Sequence, residues 1–223
     1  MRAIALDGPS GAGKSTLARK LATELGYRYV DTGAIYRTVA LGLTRGNIPF
    51  DTVELSHLES LNIKLTYHPE GAQIMKLGEA DVSEEIRKNE ISILTSQVAA
   101  IPCVRDFLLD VQRNVAKQFE VVMDGRDIGT VVLPDAEVKI FLTATPEERT
   151  RRRVNELIER GQPAQFDTIL AEMLARDHSD TTRTIAPLKQ AEGAILLDTT
   201  TLNFEQSLAA LLQIVQERMV THE

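Results

Sequence analysis

The chain has 223 residues, 43% of them hydrophobic, which suits one domain carrying insertions rather than two full domains. A net charge of −7 argues against broad attraction to nucleic acid or an anionic membrane surface, and no apolar run approaches the roughly 20 residues of a membrane helix. The single Cys103 excludes an intramolecular disulfide; with Met1-Arg2-Ala3 leading straight into a strand, the expectation is a cytoplasmic protein without a signal peptide.

The apolar run Ala3-Ile4-Ala5-Leu6 predicts a strand. Gly8-Pro9-Ser10-Gly11-Ala12-Gly13-Lys14-Ser15 follows it with the Gly-x-x-x-x-Gly-Lys-Ser spacing of a phosphate-binding loop. The glycines and the small Ala12 let the backbone curl so that successive N–H groups face an anion, and the next helix adds the positive end of its dipole. Lys14 supplies a full charge and Ser15 a hydroxyl for Mg²⁺, so residues 8–16, ending at Thr16, form the predicted nucleotide-phosphate site. A plain glycine-rich turn would require neither a lysine nor a hydroxyl after its last glycine. Leu17, Leu21 and Leu25 recur at helical spacing until Gly26 ends the helix. Residues 27–30 form a short strand, and Asp31-Thr32-Gly33-Ala34-Ile35-Tyr36-Arg37 opens a helix that continues to Arg45.

Residues 54–61 read as a weak helix. Ile63-Lys64-Leu65-Thr66-Tyr67 alternates with the period of a half-buried strand, His68-Pro69-Glu70-Gly71 is a turn, and short strands follow near 74–77 and 81–82. This β insertion interrupts an otherwise α/β chain. Ser83 is the predicted N-cap of the next helix, with Glu84 and Glu85 in its first turn. Helical segments run through Ser96-Gln97-Val98 and, after Pro102, over 103–119. Glu120-Val121-Val122-Met123-Asp124 reads as a buried parallel strand ending in a carboxylate, and Gly125-Arg126-Asp127 continues it into a loop. Another buried strand covers 138–143, and Thr145-Pro146-Glu147-Glu148 predicts a capping box with proline at the first helical position. That helix carries Arg149, Arg151, Arg152 and Arg153 and stops near Gly161-Gln162-Pro163. A further helix spans 167–176, residues 194–198 are the last strand, and Asn203-Phe204-Glu205-Gln206 caps the closing helix. Five parallel strands alternating with helices give a doubly wound sheet with ligands at the strand carboxyl ends, which places the loops after Asp7, Val30 and Asp124 along one rim.

The four histidines show no metal-ligand spacing, and no histidine is near Cys103 in sequence, so neither a zinc site nor a covalent nucleophile is expected. The phosphate loop by itself suits kinases, GTPases and mechanical ATPases alike. The Asn-Lys-x-Asp tetrapeptide with which a guanine-nucleotide switch holds its base does not occur, and mechanical ATPases are usually larger or parts of arrays. Arg149, Arg152 and Arg153 fall on one helical face, where like charges cost about 0.2–0.5 kcal/mol per pair, so an anionic partner is expected there. A kinase with a phosphate-bearing acceptor accounts for arginines distributed over so many rim loops. Two anionic substrates must meet, and the transferred group carries spread-out charge, so catalysis consists mainly of cationic positioning.

The phosphate loop, Asp31-Thr32-Gly33-Ala34-Ile35-Tyr36-Arg37, Ser96-Gln97-Val98-Ala99, Asp124-Gly125-Arg126-Asp127 and Ala186-Pro187-Leu188 together resemble the bacterial cytidylate kinases, in order over nearly the whole chain. The resemblance implies an α/β fold in which a five-stranded parallel P-loop kinase core carries a small β insertion and a helical lid. It implies one domain over 1–223, a monophosphate-binding insertion at about 32–100 and a lid at about 146–183. The implied reaction moves the γ-phosphoryl of ATP to CMP or dCMP, with ATP as co-substrate and Mg²⁺ held through Ser15; the expectation is a monomer without nucleic-acid or membrane partners. Carried over residue by residue, Arg37 and Arg126 bind the acceptor's phosphate. Arg105, Asp127 and Arg183 lie near cytosine, as does Thr32, while Ser96, Arg176 and Asp180 lie at the sugar. Lys14, Arg149, Arg152 and Arg153 are the expected catalytic cations. Arg176, Asp180 and Arg183 are spaced four and three apart and share a face if their helix continues that far. Two alternatives remain, a kinase for another monophosphate such as UMP and an ATP-binding regulatory protein.

Overall fold

Ile4, Ala5, Leu6 and Asp7 are buried in succession, as a strand covered on both faces requires. The computed structural model describes residues 2–159 and 161–220. In chain order its elements are β1 (Ala3–Asp7), α1 (Lys14–Leu25), β2 (Arg28–Asp31), α2 (Thr32–Arg45), α3 (Leu55–Ser60), β3 (Ile63–Tyr67), β4 (Gln73–Leu77), β5 (Ala80–Asp81), α4 (Asn89–Val98) and α5 (Pro102–Gln118). After them come β6 (Val121–Gly125), β7 (Val138–Thr143), α6 (Pro146–Glu159), α7 (Phe166–Thr182), β8 (Ile195–Asp198) and α8 (Phe204–Val220). The chain divides into two units, one being Tyr27–Val121 and the other combining Arg2–Gly26 with the chain from Val122 onward.

The fold is α/β. The second unit supplies β6, β1, β7 and β8, in that order, to a five-stranded parallel sheet whose remaining strand is β2. Ile4 lies opposite Val138 and Asp7 opposite Phe141, and Ile140 to Thr143 pair with Ile195 to Asp198. Leu17 and Leu21 of α1 are buried one turn apart, and Gly26 ends the helix at φ 71°, its N–H donating to Ala22 O and Thr23 O. The predicted strands and α1 therefore stand where the apolar spacing put them. Asn203 and Gln206 form the predicted capping box in full, each side chain accepting from the other's backbone N–H.

In the first unit, α2 buries Ile35, Val39 and Leu43 at helical spacing, and Asp31 Oδ1 caps it by accepting from Ala34 N–H at 2.8 Å. The β insertion is a three-stranded antiparallel sheet in the order β3-β4-β5, with Ile63 opposite Leu77 and Leu65 opposite Met75. Leu58, Met75, Val82, Ile86, Ile91 and Leu108 belong to this unit's core.

Four sequence readings are corrected or extended. Ser83 does not cap a helix: its Oγ accepts from Met75 N–H across the hairpin, only a 3-10 turn (Glu85–Arg87) follows, and the next α-helix begins at Asn89. The box at Thr145 is half formed, because Thr145 N–H donates to Thr200 Oγ1 while the Glu148 carboxylate is taken by Arg151 and Arg152. The helix expected over 167–176 runs from Phe166 to Thr182, its polar end held by Thr181 and Thr182 hydroxyls donating back to Asp177 and His178 carbonyls. A π-helical segment, Ile128–Val132, follows Asp127 where only a loop was read; the wide turn is closed by Val132 N–H donating to Asp127 O at 3.2 Å. Among the described residues, no single helix is long and apolar enough to cross a membrane.

Candidate active site

The loop after β1 is shaped by its glycines. Gly8, Gly11 and Gly13 have φ of 149°, 73° and 87°, and a Cβ on Gly8 would stand 1.9 Å from the carbonyl oxygen of Leu142. Lys14 begins α1 and is buried, with Nζ donating to Pro9 O at 2.6 Å. Burial pushes its ammonium down to about 7; Arg126 and Arg176 push the same way, against Asp124 and Asp180. The Ser15 hydroxyl donates to Asp124 Oδ2 at 2.8 Å. Asp124 at the end of β6 was legible only as a carboxylate on a functional rim, and its pairing with Ser15 joins two positions 109 apart in the sequence.

The arginines of α6, expected as catalytic cations, differ in burial and in partners. Arg149 is 3% exposed, and its guanidinium pairs with Asp177 at 2.6 Å while donating to Ala144 O and Ser10 O at 2.9 and 3.0 Å. Arg152 donates to Glu148 Oε1 and Thr199 O and lies 3.4 Å from Ala12 O, so two of the arginines hold phosphate-loop carbonyls. Arg153 pairs with Glu156 at 2.8 Å near the surface. The like-charge cost predicted for this face is therefore offset by acids of the chain itself.

Beyond β6, Arg126 Nε donates to Asp180 Oδ2 at 2.8 Å, and Arg183 lies 3.8 Å from Asp127 Oδ1. Burial works to raise the Asp180 carboxyl, but Arg126, then Arg176 and Arg183, hold it below the usual carboxylate range. Arg176 and Asp180 occupy successive turns of α7, and Arg183 is its C-cap, fixed by donating to Ala186 O at 2.7 Å. Ala186 takes φ 49°, which brings its carbonyl to that guanidinium. The second unit thus assembles Arg126, Asp127, Arg176, Asp180 and Arg183 into one charged cluster. Sequence reasoning missed Asp7, a buried acid at the end of β1 that accepts from Ile128 and Gly129 N–H at 2.8 Å each. Nothing in its local pattern marked it.

The first unit holds the other predicted positions. Thr32 starts α2 and is buried, and Ser96 is half-buried on α4. Arg37 Nη2 donates to both Asp31 oxygens, at 3.3 and 3.0 Å, while its Nε is buried with no hydrogen-bond partner among the described residues. Arg105 of α5 donates to Ala99 O and lies 5.8 Å from the Tyr36 ring centroid.

A strand, a loop with left-handed glycines, a buried lysine and a hydroxyl–carboxylate pair, set on an α/β sheet, define a phosphate-binding-loop protein. The family model for cytidylate kinase matches residues 4–217, and the chain belongs to that family. It is 49% identical over 214 residues to a cytidylate kinase of Carboxydothermus hydrogenoformans, covering 95% of this chain and 96% of that one. A cytidylate kinase of Syntrophotalea carbinolica is 48% identical, with 96% and 92% covered. The solved structure of an uncharacterised protein from Eubacterium ventriosum shares the fold at a TM-score of 0.51 and 13% identity, covering 97% of this chain and 98% of that one. The chain is a phosphotransferase with nucleotide substrates, ATP being the co-substrate.

Proposed function

We propose that the chain moves the γ-phosphoryl of ATP directly to the α-phosphate of CMP or dCMP, giving ADP and CDP or dCDP. The observation that carries the transfer chemistry is the buried Lys14 ammonium bonded inside the phosphate loop, beside Ser15 and Asp124. An α-phosphate oxygen attacks the γ-phosphorus, the bond to the β-phosphate oxygen breaks, and ADP leaves. A phosphate monoester with a second pKa of about 6 is already ionised at neutral pH, so no general base is needed. The protein's part is to align two anions and spread positive charge around the moving group.

Mg²⁺ takes oxygen ligands, commonly one or two carboxylates with waters and substrate phosphates. Ser15 Oγ and Asp124 Oδ2, 2.8 Å apart, fit that demand, and the ion would neutralise charge on the phosphates there. Residues 8–16 would hold the ATP phosphates, with Arg149 and Arg152 shaping the loop and Arg153 reaching the transferred group from a lid over 146–183. Arg37, whose buried Nε has no hydrogen-bond partner among the described residues, and Arg126 would bind the acceptor's phosphate. Ser96, Arg176 and Asp180 would serve the sugar, and Thr32, Arg105, Asp127 and Arg183 the base, with the acceptor region at about 32–100. The protein would act as a cytoplasmic monomer without nucleic-acid or membrane partners.

Base choice follows from donor and acceptor chemistry. Cytosine presents an amino donor at its 4-position and acceptors at N3 and O2, whereas uracil presents a carbonyl and an N–H in the first two places. A carboxylate only accepts and a guanidinium only donates, so an Asp127–Arg183 pair suits cytosine. ADP release measured across CMP, dCMP, UMP, AMP and dTMP tests the proposal. Selective turnover with CMP and dCMP is the expected result; ATP hydrolysis indifferent to every acceptor would support the regulatory reading instead.

A further inference from the structure

Asp7 has no part in the roles given above, yet its surroundings are demanding. It is 3% exposed, and its two oxygens accept from two successive amides, Oδ1 from Ile128 and Oδ2 from Gly129. Those amides open the π-helical segment directly after Asp127, whose φ of −145° and ψ of 25° lie outside the regular regions. The segment is also packed closely on its other side: a Cβ on Gly129 would stand 3.1 Å from the Ala191 side chain, and 3.4 Å from Asp7 Oδ2. Burial pushes the Asp7 carboxyl up to about 6 against both backbone bonds, with Asp127 adding to the rise and Lys14 opposing it. Ionised at neutral pH, the acid is therefore held at a cost. An asparagine would avoid that cost but offers a single acceptor oxygen, and its amide group would turn N–H toward one of the two backbone N–H groups.

We infer that Asp7 is a positioning residue for the acceptor: by anchoring the amides of Ile128 and Gly129 it fixes where Arg126 and Asp127 stand. Asp7 is also bonded to Gly8, so one carboxylate joins the start of the phosphate loop to the segment that reads the acceptor. The role rests on the acceptor contacts proposed for Arg126 and Asp127. An acid that merely stabilised the fold would affect both substrates equally.

The test is steady-state kinetics of the wild type, Asp7→Asn, Asp127→Asn and the double variant, with CMP and UMP at saturating ATP and with ATP varied at saturating CMP. A donor left facing a donor in a buried site is expected to lower the CMP-over-UMP ratio of kcat/KM by about tenfold in Asp7→Asn, through the KM for CMP, with the KM for ATP within about twofold. In the Asp127→Asn background, Asp7→Asn is expected to change the ratio no further, since it acts through that residue. Gly129→Ala would set a Cβ 3.1 Å from the Ala191 side chain, displacing the segment whose amide Asp7 holds, and is expected to reproduce the pattern, which keeps the test decisive if Asp7→Asn fails to fold. Equal rises in the KM for ATP and CMP with the ratio intact would overturn the positioning role, as would independent, multiplying losses in the double variant. An unchanged ratio in Asp127→Asn alone removes base reading by Asp127. The anchoring of Arg126 is then judged by whether Asp7→Asn raises the KM for CMP selectively, which supports it, or together with that for ATP, which overturns it.

Discussion

Lys14 gives its charge to a buried place, and that sets opposite expectations for stability and for turnover. Its ammonium makes a bond to Pro9 O, but burial has brought its pKa to about 7, so the charge is costly in the free protein. Lys14→Ala is expected to leave the thermal midpoint unchanged or slightly higher, while kcat falls by about two to three powers of ten and the KM for CMP moves little. Near-normal turnover would show that the loop is not the catalytic cradle. Asp7 supplies a pH signature. Its folded value of about 6 exceeds the ordinary aspartate value of 3.8, so the folded state binds more protons between the two. The stability from this preference is fully present below about 4 and is lost as pH rises through about 6, a change on the order of 2–3 kcal/mol. Urea denaturation at pH 4.5, 5.5 and 7 is expected to show wild type losing ground to Asp7→Asn over that range. A constant difference between the two proteins would mean that Asp7 does not titrate there.

On α6 the spacing of arginines was legible and their division of labour was not. Arg149, Arg152 and Arg153 share a face as the periodicity requires, yet only the fold shows that Arg149 is spent on Asp177, Ala144 O and Ser10 O, while Arg153 meets Glu156 near solvent. Removing Arg149 strands a half-buried carboxylate and two carbonyls, so Arg149→Ala is expected to cost about 3 kcal/mol of unfolding free energy. Arg153→Ala is expected to cost less than about 1 kcal/mol, because its ion pair is half-buried at most and stays in reach of solvent, and to lower kcat through the proposed contact with the transferred group. Denaturation and kinetics on both variants separate the two; equal stability losses would contradict the difference in burial. The same contrast explains what the sequence could show. The phosphate loop, the α1 spacing and the Asn203 box are local patterns, complete within a few residues. The Ser15–Asp124 and Asp7–Ile128 bonds join positions 109 and 121 apart, because β6 and β7 flank β1 in the sheet but not in the chain. Ser83 failed as a cap for a related reason, since its hydroxyl found a backbone partner on β4.

At the scale of the whole molecule, a chain of net charge −7 must bind two anionic nucleotides, and the proposed sites meet that demand with positive charge concentrated locally. The phosphate loop is held within the second unit: Lys14 bonds to Pro9, Ser15 to Asp124, Arg149 to Ser10, and Arg152 approaches Ala12. Arg37 is held within the first, through Asp31, whose Oδ1 also caps α2 at Ala34. Arg37→Ala leaves that cap in place and removes a guanidinium with one buried donor to spare, so the first unit is expected to stay folded. Losing one charged hydrogen-bonding partner of the acceptor's phosphate is expected to weaken CMP binding by about ten- to a hundredfold. ATP binding is expected to stay within about twofold, since no bond described for the loop involves Arg37. Titration calorimetry with CMP and with ATP on one preparation measures both. Parallel losses in the two affinities would mean that Arg37 acts on the fold as a whole, and an unchanged CMP affinity would remove it from the acceptor's phosphate site.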